Sequence, residues 1–151
     1  MPRSCWEQAA ALAAQKPALD AAGFRLVILG VGTPASGRKF ASALTPPLDE
    51  SLLFVDPERR TYAALGLYSG LARTFANAAT PKALAARGLD GVKAAAKNYA
   101  MIAPPKPDDA LQQGGLLVVD GAAVRYAWRD EGTADHAPVG DVLAACCGAA
   151  A

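Results

Sequence analysis

The chain predicts an α/β domain whose sheet runs in mixed directions. Three observations carry that expectation. Phe24–Leu29 and Leu52–Val55 are short apolar runs set between helical patterns, the alternation of α/β units. Leu116–Val119 is followed by Asp120-Gly121 and a second run, Ala123–Asp130, which reads as strand, tight turn and returning antiparallel strand. Val139–Cys147 then carries apolar residues at helical spacing and closes the chain with a helix. At 151 residues, one domain with a substantial core is expected, spanning 1–151.

Each element has local signals. Ser4 with Glu7 three residues on has the capping-box spacing and opens a helix to about Ala22. Pro17 bends or splits that helix, and Gly23 stops it. Phe24–Leu29 lacks alternation, as for a strand covered on both faces. Gly30–Pro34 is a loop, and a short helix over Gly37–Leu44 is closed by Pro46-Pro47. The strand Leu52–Val55 ends at Asp56-Pro57, and Pro57 opens a helix to Leu65 with Gly66 as its stop. Residues 68–110 hold alanines, scattered Lys and Arg and few large apolar side chains. They predict a helical insertion, best over 91–101, with Pro104, Pro105 and Pro107 as a stiff connector. Few apolar anchors make this the least rigid part of the expected fold. The expected core is Leu26, Ile28, Leu53, Val55, Leu117, Val119, Val142 and Leu143.

Composition removes several function classes. The net charge is +1 with dispersed basic residues, so no nucleic-acid footprint is expected. No apolar run nears the ~20 residues of a membrane span. The opening MPRSCWEQ carries neither a signal peptide's apolar region nor an Arg- and Ser-rich transit segment. Three cysteines, an odd number, fit a reducing compartment, cytoplasmic or plastid. Gly30-x-Gly32 after a strand lacks the third glycine of a dinucleotide loop, so no cofactor is expected. His136 is the sole histidine. With no second ligand at metal spacing, no metal site is expected. Asp135 beside it is in the wrong place to orient it, because adjacent residues of an extended segment point apart.

LLFVDPERRTYAALGL, GGLLVVDGAAVRYAWRD, the QQGG before that hairpin and the ADHAP after it carry a family likeness. The chain resembles the peroxiredoxin-like 2 group of the thioredoxin-fold alkyl hydroperoxide reductase/thiol-specific antioxidant superfamily. The likeness runs from about Cys5 to Leu143 and is strongest in residues 52–67 and 112–143. It implies a thioredoxin-like mixed sheet with helices on both faces and a reactive cysteine opening the first helix. Cys5 falls at the second position of the family's Cys-x-x-Cys, whose first position is Pro2 here. Only four residues precede Cys5, so the strand expected before this motif is lacking, and a natural chain longer at its amino terminus is expected. That strand would lie between Phe24–Leu29 and Leu116–Val119. Without it the two runs either close up and pair, or recruit another chain, or receive a strand from residues beyond this sequence.

A cysteine at a helix N-terminus gains thiolate character from the unpaired N–H groups and dipole there, with Arg3 adding to it. The resemblance therefore points to thiol–disulfide chemistry through Cys5, reduced by a thiol such as thioredoxin or glutathione, with the oligomeric state undefined. Cys147, off the apolar stripe of the last helix, is a candidate resolving thiol, whereas Cys146 lies on the stripe and reads as core. Gln112, Gln113 and Gly114 either border the thiol site or form a turn that satisfies its own backbone. Family peroxidases carry a threonine before the cysteine and an arginine before the late strand. This chain has no threonine near Cys5, and Gln113-Gly114 stand where the arginine would. The alternative reading is a non-catalytic thioredoxin-like scaffold with a decayed site.

Overall fold

The computed structural model describes residues 5–70, 109, 111–132 and 135–148. Helix α1 (Cys5–Ala14) and helix α2 (Lys16–Ala21) replace the single first helix. The break sits at Gln15, and Pro17 occupies the first turn of α2, where its missing N–H is harmless. Ser4, the expected cap, lies outside the described residues. Gly23, at φ 80°, takes the left-handed conformation that ends the helix.

Strand β1 (Ile28–Gly30) is shorter than the apolar run around it. Helix α3 (Pro34–Ala43) begins three residues earlier than expected, because Thr33 and Ser36 form a reciprocal capping box and Pro34 opens the first turn. A 3-10 turn at Glu50–Leu52 leads into strand β2 (Leu53–Val55). Helix α4 (Arg60–Ala64) starts after Pro57 rather than at it. The Asp56 carboxylate accepts from the N–H groups of Arg60 (3.1 Å) and Thr61 (2.7 Å), fixing the helix start there. These bonds outweigh the opposing effect of desolvation and hold the Asp56 carboxyl below its usual pKa. Strands β3 (Gly115–Asp120) and β4 (Ala123–Arg129) form the expected hairpin around Gly121, and helix α5 (Val139–Cys147) follows. The helical insertion over 91–101 and the proline connector lie outside the described residues.

β1 pairs in parallel with β2, Leu29 opposite Phe54. β3 pairs antiparallel with β4, with a bulge between Val118 and Val119. Both directions are therefore present, but among the described residues they form two separate two-stranded sheets. Val27 and Leu117 do not pair directly: Val27 precedes β1, and Leu117 faces Ala127.

The core has two clusters. One gathers Leu12, Leu19, Val118, Ala137, Val142 and Cys146 beneath the hairpin. The other gathers Ala9, Ala41, Leu44, Leu48 and Leu52 between α1 and α3. Leu26 packs against both. Two expected core residues are corrected. Leu117 is 39% and Val119 49% exposed, while Val118 between them is 4% exposed. Successive side chains of a strand point to opposite faces, and here only the Val118 face is covered. Val27, at 52% exposure, likewise corrects the expectation of a run covered on both sides. Val142 is buried, and Leu26, Ile28, Leu53, Val55 and Leu143 are half-buried.

Candidate functional site

Cys5 is the first residue of α1, and it is exposed. One turn on, the buried Gln8 donates through Nε2 to the carbonyl of Ala137 at 2.9 Å. That bond holds the start of α1 against the segment between β4 and α5. The same segment is tied back by the Trp128 indole N–H to the carbonyl of Asp135 (3.0 Å) and by the Glu131 N–H to the Asp135 carboxylate (2.9 Å). Its next residue is His136.

His136 meets Asp130, the residue after β4. Nδ1 lies 2.7 Å from Oδ2, and the two side chains are only 11% and 3% exposed. The Asp130 backbone N–H bonds the Gly114 carbonyl at 3.1 Å. A side chain at Gly114 would put its Cβ 2.9 Å from Asp130 Oδ2, and one at Gly115 would put it 2.6 Å from the Trp128 carbonyl. The two glycines let the loop close onto the end of β4 and leave room for the carboxylate.

The other ring nitrogen, His136 Nε2, is buried and has no partner in ordinary hydrogen-bond geometry. Burial works against charge on this ring, but Asp130 and the Cys5 side chain outweigh it, and the pKa is pushed up to about 10. With Nδ1 on Asp130, the nitrogen left for Cys5 is Nε2. Tyr62 of α4 donates its hydroxyl to the Leu29 carbonyl at 2.7 Å. Burial raises the Tyr62 pKa, and the charges of Cys5, Asp56 and Asp130 push it the same way.

The predicted site residues divide between two places. Gln112, Gln113 and Gly114 form the loop behind Asp130. Gln112 Nε2 donates to the Tyr68 carbonyl (2.8 Å) and to the Gln113 carbonyl (3.0 Å), and Gln113 is buried. Their contacts are with the backbone, and Gly114 is the one that meets Asp130. Cys147 is elsewhere. Its Sγ lies 3.8 Å from the Ala18 carbonyl of α2, beyond the far end of α1 from Cys5. The length of α1 alone is ~13 Å, whereas a disulfide needs Cα atoms within ~7 Å. A Cys5–Cys147 bridge within one chain therefore requires α5 to leave α2. Cys146 is buried in the first cluster.

His136 and Asp130 were missed as site residues. Asp135 was weighed as the orienter because it is adjacent in sequence, whereas the partner lies six residues back across the turn through Gly132. The available signal was a second acidic residue ending the hairpin ahead of the histidine.

The model for the AhpC/TSA antioxidant enzymes matches residues 11–132. The chain belongs to that family. This AhpC/TSA protein is accordingly a peroxiredoxin-like, thioredoxin-fold protein of redox type. It is 30% identical over 145 residues to the thioredoxin-like protein AAED1, chloroplastic, of Arabidopsis thaliana, covering 95% of this chain and 56% of that protein. The chain thus spans about half the length of the curated relative it matches. No solved structure matches it. Cys5 and His136 both fall outside the stretch matched by the family model. None of the helices among the described residues is long and apolar enough to cross a membrane, and none of these residues form a group of three metal-binding side chains.

Gly114→Ala tests the role of the glycine in this AhpC/TSA protein. The added methyl should displace the Asp130 carboxylate, cost ~1–3 kcal/mol, and bring the His136 pKa down from about 10. Ring NMR titration of the single histidine reads this directly. A pKa unchanged from the parent would show that the carboxylate tolerates the methyl.

Proposed function

We propose that this chain is a thiol–disulfide redox protein in which Cys5 is the working thiol. The observation that carries this is the exposed Cys5 at the start of a ten-residue helix, beside the buried His136–Asp130 pair. The thiolate attacks one sulfur of a disulfide, forms a mixed disulfide and releases the other sulfur as a thiolate. A second thiol, from thioredoxin or glutathione, then attacks the mixed disulfide and frees Cys5. A reductant from outside the chain suits the distance between Cys5 and Cys147. Rapid peroxide reduction is left out, because Gln113 stands where family peroxidases carry the arginine that holds peroxide oxygens. The plastid is the favoured compartment, in line with the chloroplastic relative.

The test is trapping with oxidised glutathione, read by mass spectrometry of the intact chain and of its peptides. The parent should gain one glutathione on Cys5, removable by thioredoxin. Cys5→Ser should abolish that adduct and leave only slow modification of the exposed Cys147. Equal labelling of the parent and Cys5→Ser would favour the scaffold reading instead.

A further inference from the structure

The reading of Cys5 as the working thiol leaves the histidine beside it without a role. We propose that His136, oriented by Asp130, is a positioning residue whose imidazolium holds the Cys5 thiolate ready to attack. This inference rests on that reading and deepens it.

Four observations converge. First, Asp130 fixes the ring through Nδ1 and is itself almost fully buried, so the ring cannot turn freely. Second, Nε2 is a buried ring nitrogen without an ordinary partner, and such a group is costly unless something uses it. Third, Cys5 is the other side chain close enough to raise the pKa of this ring. Fourth, the Gln8 bond to Ala137 joins the helix carrying Cys5 to the segment carrying His136, immediately beside the ring. A loop staple would need only the His136–Asp130 bond. It would not need a second ring nitrogen left buried without a partner.

The proton balance is simple. The ring already holds both of its protons across the neutral range, so the proton on Cys5 Sγ leaves to solvent and Nε2–H donates to the thiolate left behind. Asp130 Oδ2 keeps the proton on Nδ1 and stabilises the imidazolium. The groups facing this pair are few among the described residues. Asp130 faces the ring from the end of β4, and Cys5 faces it from α1. Tyr62 of α4 feels the charges of Cys5 and Asp130, but it is uncharged and its hydroxyl is occupied by the Leu29 carbonyl. Asp135 spends its carboxylate on the Glu131 N–H.

The experiment uses the full chain and two readouts. Iodoacetamide alkylation is followed between pH 5 and 10 by quantifying the Cys5 peptide. In His136→Gln the rate of Cys5 alkylation at pH 6 should fall about tenfold or more relative to the parent. Asp130→Asn, which keeps the ring, should give an intermediate profile. The second readout is ring NMR of the single histidine in the unmutated chain, which needs no variant to fold. Its titration should lie lower in Cys5→Ser than in the parent, because Cys5 is one of the groups that raise the His136 pKa. Superimposable alkylation profiles for the parent and His136→Gln, or a histidine titration identical in Cys5→Ser, would overturn the proposal. A parent that alkylates early yet forms no mixed disulfide with oxidised glutathione would sink the redox reading alone. The converse result, normal mixed disulfide with no His136 dependence, would sink only this inference.

Discussion

Asp130→Asn should lose on the order of 3 kcal/mol of stability at neutral pH, because it removes one partner of a buried charge pair. His136 and Asp130 are 11% and 3% exposed, so little solvent screens them. The pH dependence gives the sharper check. The folded pKa of His136 is about 10 against 6.5 for the free side chain. A raised folded pKa means that the folded state binds the proton more tightly. The stabilisation is therefore fully present below pH 6.5 and is lost as the pH climbs through 10. In Asp130→Asn the ring keeps the burial that disfavours its charge and loses the carboxylate that offsets it. Urea unfolding from pH 6.5 to 10 should show the parent losing stability relative to the variant, so that their difference narrows. Parallel curves across that range would show that the pair does not carry a charge in the folded state.

Leu19→Ala should cost ~2–5 kcal/mol. Leu19 is 3% exposed and sits in the cluster that holds Leu12, Val118 and Val142 together. It joins α2 to α5 beneath the hairpin, so truncation opens a cavity between elements that cannot easily close over it. Leu117→Ala is the control. The side chain is 39% exposed, and its loss should cost ~1 kcal/mol or less. Denaturant midpoints of the two variants measure the contrast directly. Equal losses would mean that the uncovered face of β3 is buried in solution.

Punctuation residues made most of the fold legible. Gly23, Pro17, the Asp56-Pro57 step and Asp120-Gly121 each mark a boundary that the structure keeps. Thr33-Pro34 was read as loop because the capping partner is Ser36, a weaker signal than the Glu or Gln usual at that place. The assignment of Leu117 and Val119 to the core went wrong for a simple reason. An unbroken apolar run does not reveal which of its faces is covered, and a one-residue difference in phase exchanges them. Cys5 was visible as a candidate through the resemblance and its place at a helix start. His136 was not, because its partner is chosen by a turn, and sequence adjacency is a poor guide to what faces what across one.

The bond from Gln8 to Ala137 joins residues 129 positions apart. This has a consequence for biosynthesis. Cys5 is made well before the histidine beside it. Contacts of such separation form late, after the loops between them have closed. Throughout translation the nascent cysteine is an ordinary thiol, with the slow exchange of any unfolded chain. The contact between α1 and the segment carrying His136 forms only once that segment has docked onto α1. A chain cut short before His136 would fold parts of its core and still carry Cys5, but as an unassisted thiol. The arrangement thus ties the chemistry to the completeness of the polypeptide.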